Sequence, residues 1–123
     1  MSKRGDREFL LDIKEAAERI TGYITEMSYE NFLADFRTQD AVVRNLEIIG
    51  EAIKNISNAL KKEHNEIEWK EIAGMRDKII HHYFGIKWDI VWSAIKDKIP
   101  QLKEKIEEIL KQYPKDLSGS FTD

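Results

Sequence analysis

An all-α bundle is what this sequence predicts, and three observations predict it. Apolar residues recur at three- and four-residue steps through most of the chain. Only two prolines, Pro100 and Pro114, interrupt 123 residues, with six glycines. So few breakers suit long helices better than a many-turned β fold. No cysteine is present, so neither a disulfide framework nor a thiolate metal site is available. Apolar residues make up 41% and charged residues 35%, enough for one core beneath a charged surface and too apolar for a disordered chain. The length suits one domain. The expected architecture is a bundle of four to five helices over residues 1–112, with a flexible polar tail at 113–123.

The first helix is expected over residues 6–27, where Phe9, Ile13, Ala16, Ile20, Ile24 and Met27 share one stripe and Asp6 is a candidate N-cap. Ser28 can cap a short second piece over residues 29–36. Thr38 and Asp40 then mark the start of a long helix over 39–63. Within it Val42, Leu46, Ile49, Ile53, Ile56 and Leu60 follow 4-3-4-3-4 spacing, a seam of coiled-coil type. Gly50 sits in the middle of that helix, where glycine costs about 1 kcal/mol against alanine; close approach of a neighbour is the expected reason. A polar loop at 64–68 leads to a helix over 69–83, which Gly85 ends. Residues 87–110 form the last helical stretch, favoured at its start by Asp89 and kinked or divided by Pro100.

Composition also bounds function. No apolar run approaches the 18 or so residues of a membrane span. The charged opening MSKRGDREF lacks the apolar stretch of a signal peptide, so the expected compartment is the cytoplasm. The formal net charge of -3 argues against binding nucleic acid through bulk positive charge and leaves room for a local cationic patch. His64, His81 and His82 are the only histidines, and no HExxH pattern or acidic ladder accompanies them, so no metal or other cofactor is expected.

Chemistry concentrates in residues 76–83, Arg-Asp-Lys-Ile-Ile-His-His-Tyr. On an ideal helix with Ile72 at the origin, Met75, Ile79, Ile80 and Tyr83 fall on one face, and Arg76 falls about 40° from Ile72, within that face. A cation on an apolar stripe needs an anion to meet it. That anion is either a carboxylate of another helix, with Glu47 and Glu51 as candidates, or a phosphate, which the guanidinium fork suits. His81 falls about 140° from Arg76, so one straight helix does not gather the two. Either the helix loosens near its end or a second molecule helps to build the site. His82 carries no defensible role. Trp69, Trp88 and Trp92 are expected in the core or an interface. Arg44, Glu47, Glu51 and Asn55 form a polar stripe that faces either solvent or a groove beside Arg76.

The spacing Arg76-x4-His81-x-Tyr83 resembles the RX4HXY motif of HepT-like ribonuclease toxins in the HEPN superfamily. The flanks are similar too: AVVRNLEIIGEAIKNI (41–56) looks like that family's long helix, WKEIAGMRDKIIHHYFGI (69–86) like its motif helix, and WDIVWSAIKDKIPQL (88–102) like the helix that follows. The likeness covers most of residues 7–111. It implies a HEPN-like, homodimeric fold in which two motifs meet at the two-fold interface, and metal-free cleavage of RNA. It also implies a cognate minimal nucleotidyltransferase as antitoxin, which silences the toxin by transferring AMP to the motif tyrosine, here Tyr83. Asp77 is a polar residue of the kind expected after the arginine.

The residue types agree with that chemistry. A histidine titrating near pH 6.5 suits proton transfer from a 2′-hydroxyl, and arginine suits the phosphate and its developing charge. DNA, lacking the hydroxyl, would be spared. Three readings stand: a toxin ribonuclease with Arg76 and His81 catalytic and Tyr83 as the regulatory handle; a dimeric binding module for a nucleotidyltransferase, which the net charge favours; and a purely structural helical dimer in which Arg76 pairs with a carboxylate of its own chain.

Overall fold

A computed structural model describes residues 4–81 and 85–113. His82, Tyr83 and the tail residues 114–123 lie outside the described residues, as do residues 1–3. The described chain is helical throughout, without strands among the described residues, and it confirms the all-α expectation. Seven α-helices are described: α1 (Asp6–Ile24), α2 (Tyr29–Ala34), α3 (Phe36–Asn55), α4 (Asn58–Glu63), α5 (Trp69–His81), α6 (Trp88–Ser93) and α7 (Ile99–Lys111). A π-turn, Ala94–Lys98, joins α6 to α7 without a break. Four rods therefore make the bundle: α1, α3, α5 and the continuous α6–α7 stretch. No helix among the described residues is long and apolar enough to cross a membrane.

The rods associate through one apolar cluster. Leu10, Ile13 and Ile20 of α1, Val42, Ile49 and Ile53 of α3, and Ile99 and Ile106 of the last rod are all but fully buried within it. Burying each such side chain contributes roughly 1.5–3 kcal/mol. α1 packs between α3 and α7, and α5 packs on the other side of α3. Trp69 is buried, while Trp88 and Trp92 clasp Phe32 with ring centroids 5.7 and 5.1 Å away. Trp69 belongs to the core, and Trp88 and Trp92 pack against it half-buried.

Helix ends are set by polar side chains, and several lie elsewhere than the sequence pattern places them. Asp6 is the first residue of α1 rather than its cap; Gly5 holds the cap position, and its N–H donates to Glu8 Oε1 at 3.0 Å. Ser28 caps α2 as predicted, accepting from the Asn31 N–H. α3 begins earlier than expected because Asp35, not Thr38 or Asp40, is its cap. The Asp35 carboxylate accepts from the Thr38 N–H at 3.0 Å and from the Thr38 hydroxyl at 2.8 Å. Gln39 is buried and returns its amide to the Phe32 and Leu33 carbonyls at the end of α2.

The larger difference is that the predicted 39–63 helix is two helices. The seam continues, since Ile56 and Leu60 are both buried, but the backbone opens at Ile56 and Ser57 caps α4. The cause is distant in sequence. The freed Asp6 carboxylate accepts from the Ser57 N–H at 2.8 Å and from the Ser57 hydroxyl at 2.6 Å, which ties this corner to the start of α1. At the other end, Pro100 falls in the first turn of α7. Proline there lacks the N–H for the preceding turn and crowds the carbonyl four residues back. The wider π-turn, in which the Ile99 N–H reaches Ala94 O, relieves that crowding and keeps the rod continuous.

Ser57→Ala removes a cap and the hydroxyl donor to Asp6, leaving only the N–H of residue 57 on that carboxylate, so unfolding free energy should fall by about 1 kcal/mol; an unchanged urea midpoint would contradict this account of the α3–α4 corner. Asp35 gives a pH signature. The Thr38 N–H, and then its hydroxyl, hold this carboxyl below the ordinary carboxylate range. Its folded pKa lies below its unfolded one, so the stabilisation is present above the unfolded value and is lost as pH falls through the folded value. Asp35→Asn keeps the cap and loses the charge. Its stability deficit should be largest near neutral pH and close in strong acid, as read by denaturant melts at both.

Candidate functional site

Arg76 lies in the third turn of α5, where the helix crosses α3 at Gly50. The crossing is closer than any side chain at position 50 would allow. A Cβ placed on Gly50 would sit 2.6 Å from the Arg76 Cβ and 3.0 Å from its Cδ. The missing side chain thus seats the arginine stem on the α3 backbone, which is the close approach that a mid-helix glycine predicts. With its stem held there, Arg76 keeps a quarter of its side chain exposed, and its Nε is buried with no hydrogen-bond partner among the described residues.

Its terminal nitrogens meet two carboxylates. Nη1 donates to Asp77 Oδ1 at 3.1 Å, and Nη2 stands 3.6 Å from Glu51 Oε1 on α3. The Glu51 contact is the inter-helix ion pair that the apolar position of Arg76 calls for, and Glu47 does not make it. Glu51 is well exposed and Asp77 half-exposed, so both pairs are solvated and individually worth about 0–1 kcal/mol. The same Asp77 oxygen lies 3.7 Å from the Lys54 ammonium, also on α3 and also half-exposed. Two cations and two carboxylates therefore alternate across the α3–α5 edge.

Of the polar stripe on α3, only Glu51 reaches Arg76. Asn55 returns its amide to the Glu51 carbonyl, and Arg44 is exposed. Lys54 is the member that sequence reasoning passes over. The signal for it is its place one turn after Gly50, about 40° from it on the helix, hence on the face that α5 covers.

His81 ends α5, and the helix is regular α from Trp69 to that residue. The helix does not loosen between Arg76 and His81, so their positions remain about 140° apart. The side chain of His81 lies outside the description, as do His82 and Tyr83. His64 belongs elsewhere. It ends α4 with its side chain turned inward, and its carbonyl accepts from the Trp69 indole N–H at 3.0 Å. That is a structural role in the α4–α5 corner. Among the described residues no three His, Asp or Glu side chains are grouped to hold a metal ion.

Comparison with known proteins gives the chain's family. The family described as Ribonuclease HepT-like matches residues 13–109. A Thermococcus cleftensis protein named "Probable ribonuclease HepT" is 50% identical over 109 residues, spanning 89% of this chain and 99% of that protein. A Methanocaldococcus jannaschii protein named "Putative RNase" is 43% identical over 90% of this chain and 92% of its own. One of Caldanaerobacter subterraneus subsp. tengcongensis, named in the same words, is 42% identical over 86% of this chain and 95% of its own. No solved structure matches the chain.

Two glycines on facing helices make a controlled test of the Arg76 seat. Gly74 in α5 has no heavy atom within 4 Å of its notional Cβ, so Gly74→Ala should stabilise by about 0.5–1 kcal/mol. Gly50→Ala gains the same helix propensity, yet the clash is with a Cβ fixed to the α5 backbone. The helices must separate, at a cost of roughly 1–3 kcal/mol. Opposite signs in thermal or urea unfolding are expected; stabilisation by both substitutions would mean that the α3–α5 crossing is looser than described.

Proposed function

This chain belongs to the Ribonuclease HepT-like family, and from that membership we propose that it is an endoribonuclease, the toxin subunit of a toxin–antitoxin pair. Arg76 binds the scissile phosphate and His81 transfers the proton. The observation that carries this reading is the seating of Arg76. A guanidinium is held by Gly50 at a half-buried helix crossing, with exposed and readily exchanged carboxylates as its present partners. A phosphate can replace such partners at little cost, because exposed ion pairs are weak and a bidentate arginine–phosphate pair is strong.

Cleavage proceeds through the RNA itself. His81 takes the proton of the 2′-hydroxyl, and the 2′-oxygen attacks phosphorus. The 5′-oxygen leaves as the His81 imidazolium returns that proton to it, and a 2′,3′-cyclic phosphate remains. Arg76 stabilises charge on the phosphoryl oxygens as the new bond forms. No metal is needed in this scheme, because one histidine and one arginine supply proton transfer and charge. The regular α5 helix, with Arg76 and His81 about 140° apart, favours a site composed from two chains, in a homodimer whose motifs meet across a two-fold axis. Tyr83 serves as the regulatory handle. Transfer of AMP from ATP to its hydroxyl by a cognate nucleotidyltransferase, with release of pyrophosphate, would add bulk and negative charge seven residues from Arg76 in the sequence.

A second reading has one observation behind it. Arg76 is paired with Glu51 and Asp77 of its own chain, as a helical dimer of purely structural role would have it.

The test incubates purified protein with RNA in EDTA and assays for cyclic-phosphate ends. The wild-type protein should cleave and spare DNA. Arg76→Ala and His81→Ala should each lose activity by about 10²–10⁴-fold, the usual range for a positioned acid–base group, while the dimer stays folded. Full cleavage by His81→Ala would refute the assignment. Absence of cyclic-phosphate ends at every wild-type concentration would favour the binding module.

A further inference from the structure

Lys54 stands in the Arg76 site without a part in the scheme above. It rises from the last turn of α3, one turn beyond Gly50, and its ammonium lies 3.7 Å from the Asp77 oxygen that also accepts from Arg76. The two cationic groups share one carboxylate oxygen, so they stand no farther apart than those two contacts laid end to end. Their chemistry differs in a useful way. Arg76 is anchored along its stem, carries a planar fork and is mostly covered. Lys54 is a point charge on a flexible stem, half-exposed at the mouth of the same crossing. A phosphodiester presents two non-bridging oxygens on one phosphorus, and a fork fixed from one side with a mobile ammonium on the other can hold both.

We propose that Lys54 is a second phosphate-binding residue of this site. In the free protein Asp77 stands where the substrate phosphate comes to lie, and it holds the two cations together until RNA replaces it. This inference rests on the ribonuclease reading and extends it to a residue outside the Arg76–His81–Tyr83 motif. It also bears on the net charge of -3. The chain needs no broad basic surface if each strand phosphate at the scissile step meets two cations already gathered. A rival explanation is structural. Lysine in the last turn of a helix complements the negative end of the helix dipole, and that role would affect stability without affecting substrate.

The experiment separates these. Cleavage of a single-stranded RNA is measured over a range of substrate concentrations for wild type, Lys54→Met and Lys54→Arg. Binding of a 2′-O-methyl RNA, which cannot be cleaved, is measured by anisotropy over a range of salt. Lys54→Met should lower kcat/KM by about 10- to 100-fold, the loss of one hydrogen bond to a charged group, and reduce the salt slope of binding by about 0.7, one phosphate contact on a single strand. Lys54→Arg should restore most of both. The same pair is repeated in an Asp77→Asn background. If Lys54 touches RNA, its loss still lowers kcat/KM there; if it only positions Asp77, the effect disappears and the proposal fails. Wild-type cleavage that depends on Arg76, with Lys54→Met unchanged in kcat/KM and salt slope, overturns the Lys54 role and leaves the ribonuclease reading standing. A wild-type protein that neither binds nor cleaves the RNA overturns both.

Discussion

The crossing of α3 and α5 at Gly50 is the constraint on which the site depends. A hydrogen in place of a side chain lets the Arg76 Cβ rest 2.6 Å from where a Cβ at position 50 would be. Two consequences follow from this one contact. The α5 helix is brought close enough for Ile72 and Trp69 to join the core. The arginine stem is immobilised between two backbones, so the guanidinium loses little further freedom when it engages a ligand. A long, flexible cation normally sacrifices about 2 kcal/mol of rotamer entropy on being held. Here much of that is already spent in folding, and the apolar burial along the α3 seam offsets it.

The charges around that contact are balanced rather than satisfied. Arg76 Nε is buried without a partner among the described residues, and the Glu51 contact at 3.6 Å is longer than a hydrogen bond. A buried donor left unpaired costs about 1–3 kcal/mol, a cost that packing elsewhere must cover. Such an arrangement is poor as a device for stability. The proposed phosphate role of Arg76 draws on this: exposed carboxylates are weak partners to displace. A structural ion pair would show the opposite pattern, with short bidentate contacts and low exposure on both partners.

What the sequence reveals follows from the range of each interaction. The α3 seam, the Ser28 cap and the irregularity near Pro100 depend on neighbours within a few turns, and periodicity or local chemistry exposes them; the glycine in mid-helix signals the close approach at Gly50. That Arg76 needs an anion was legible as well, since a cation on an apolar stripe demands one; the sequence leaves open which of Glu47, Glu51 or a phosphate meets it, and the structure shows Glu51. The break at Ile56–Ser57 was not. Its cause is Asp6, 51 residues away, and the hydrophobic pattern runs through the break undisturbed because Ile56 and Leu60 both stay in the core. Lys54 escaped for a related reason. A lysine in a charged helix reads as a solvated residue until the angle to Gly50 places it at the crossing. Nor does one chain's sequence fix how His81 meets Arg76.

That last point turns on helix geometry. If the segment between Arg76 and His81 had unwound, one chain could gather both side chains on one surface. It has not: the helix is regular α to His81, and five residues of α-helix turn a side chain about 140° round the axis. α5 also packs chiefly on α3 alone, so the bundle covers one of its sides and leaves Arg76 at the edge of that cover. A residue on the covered edge and a residue far round the helix can act on one phosphate only if the phosphate, or a second α5, spans the difference. A single phosphodiester is too small to span a helix diameter of about 10 Å. The proposed two-chain site rests on this regularity of α5: the same proposal made for one copy of the helix would need a bent one.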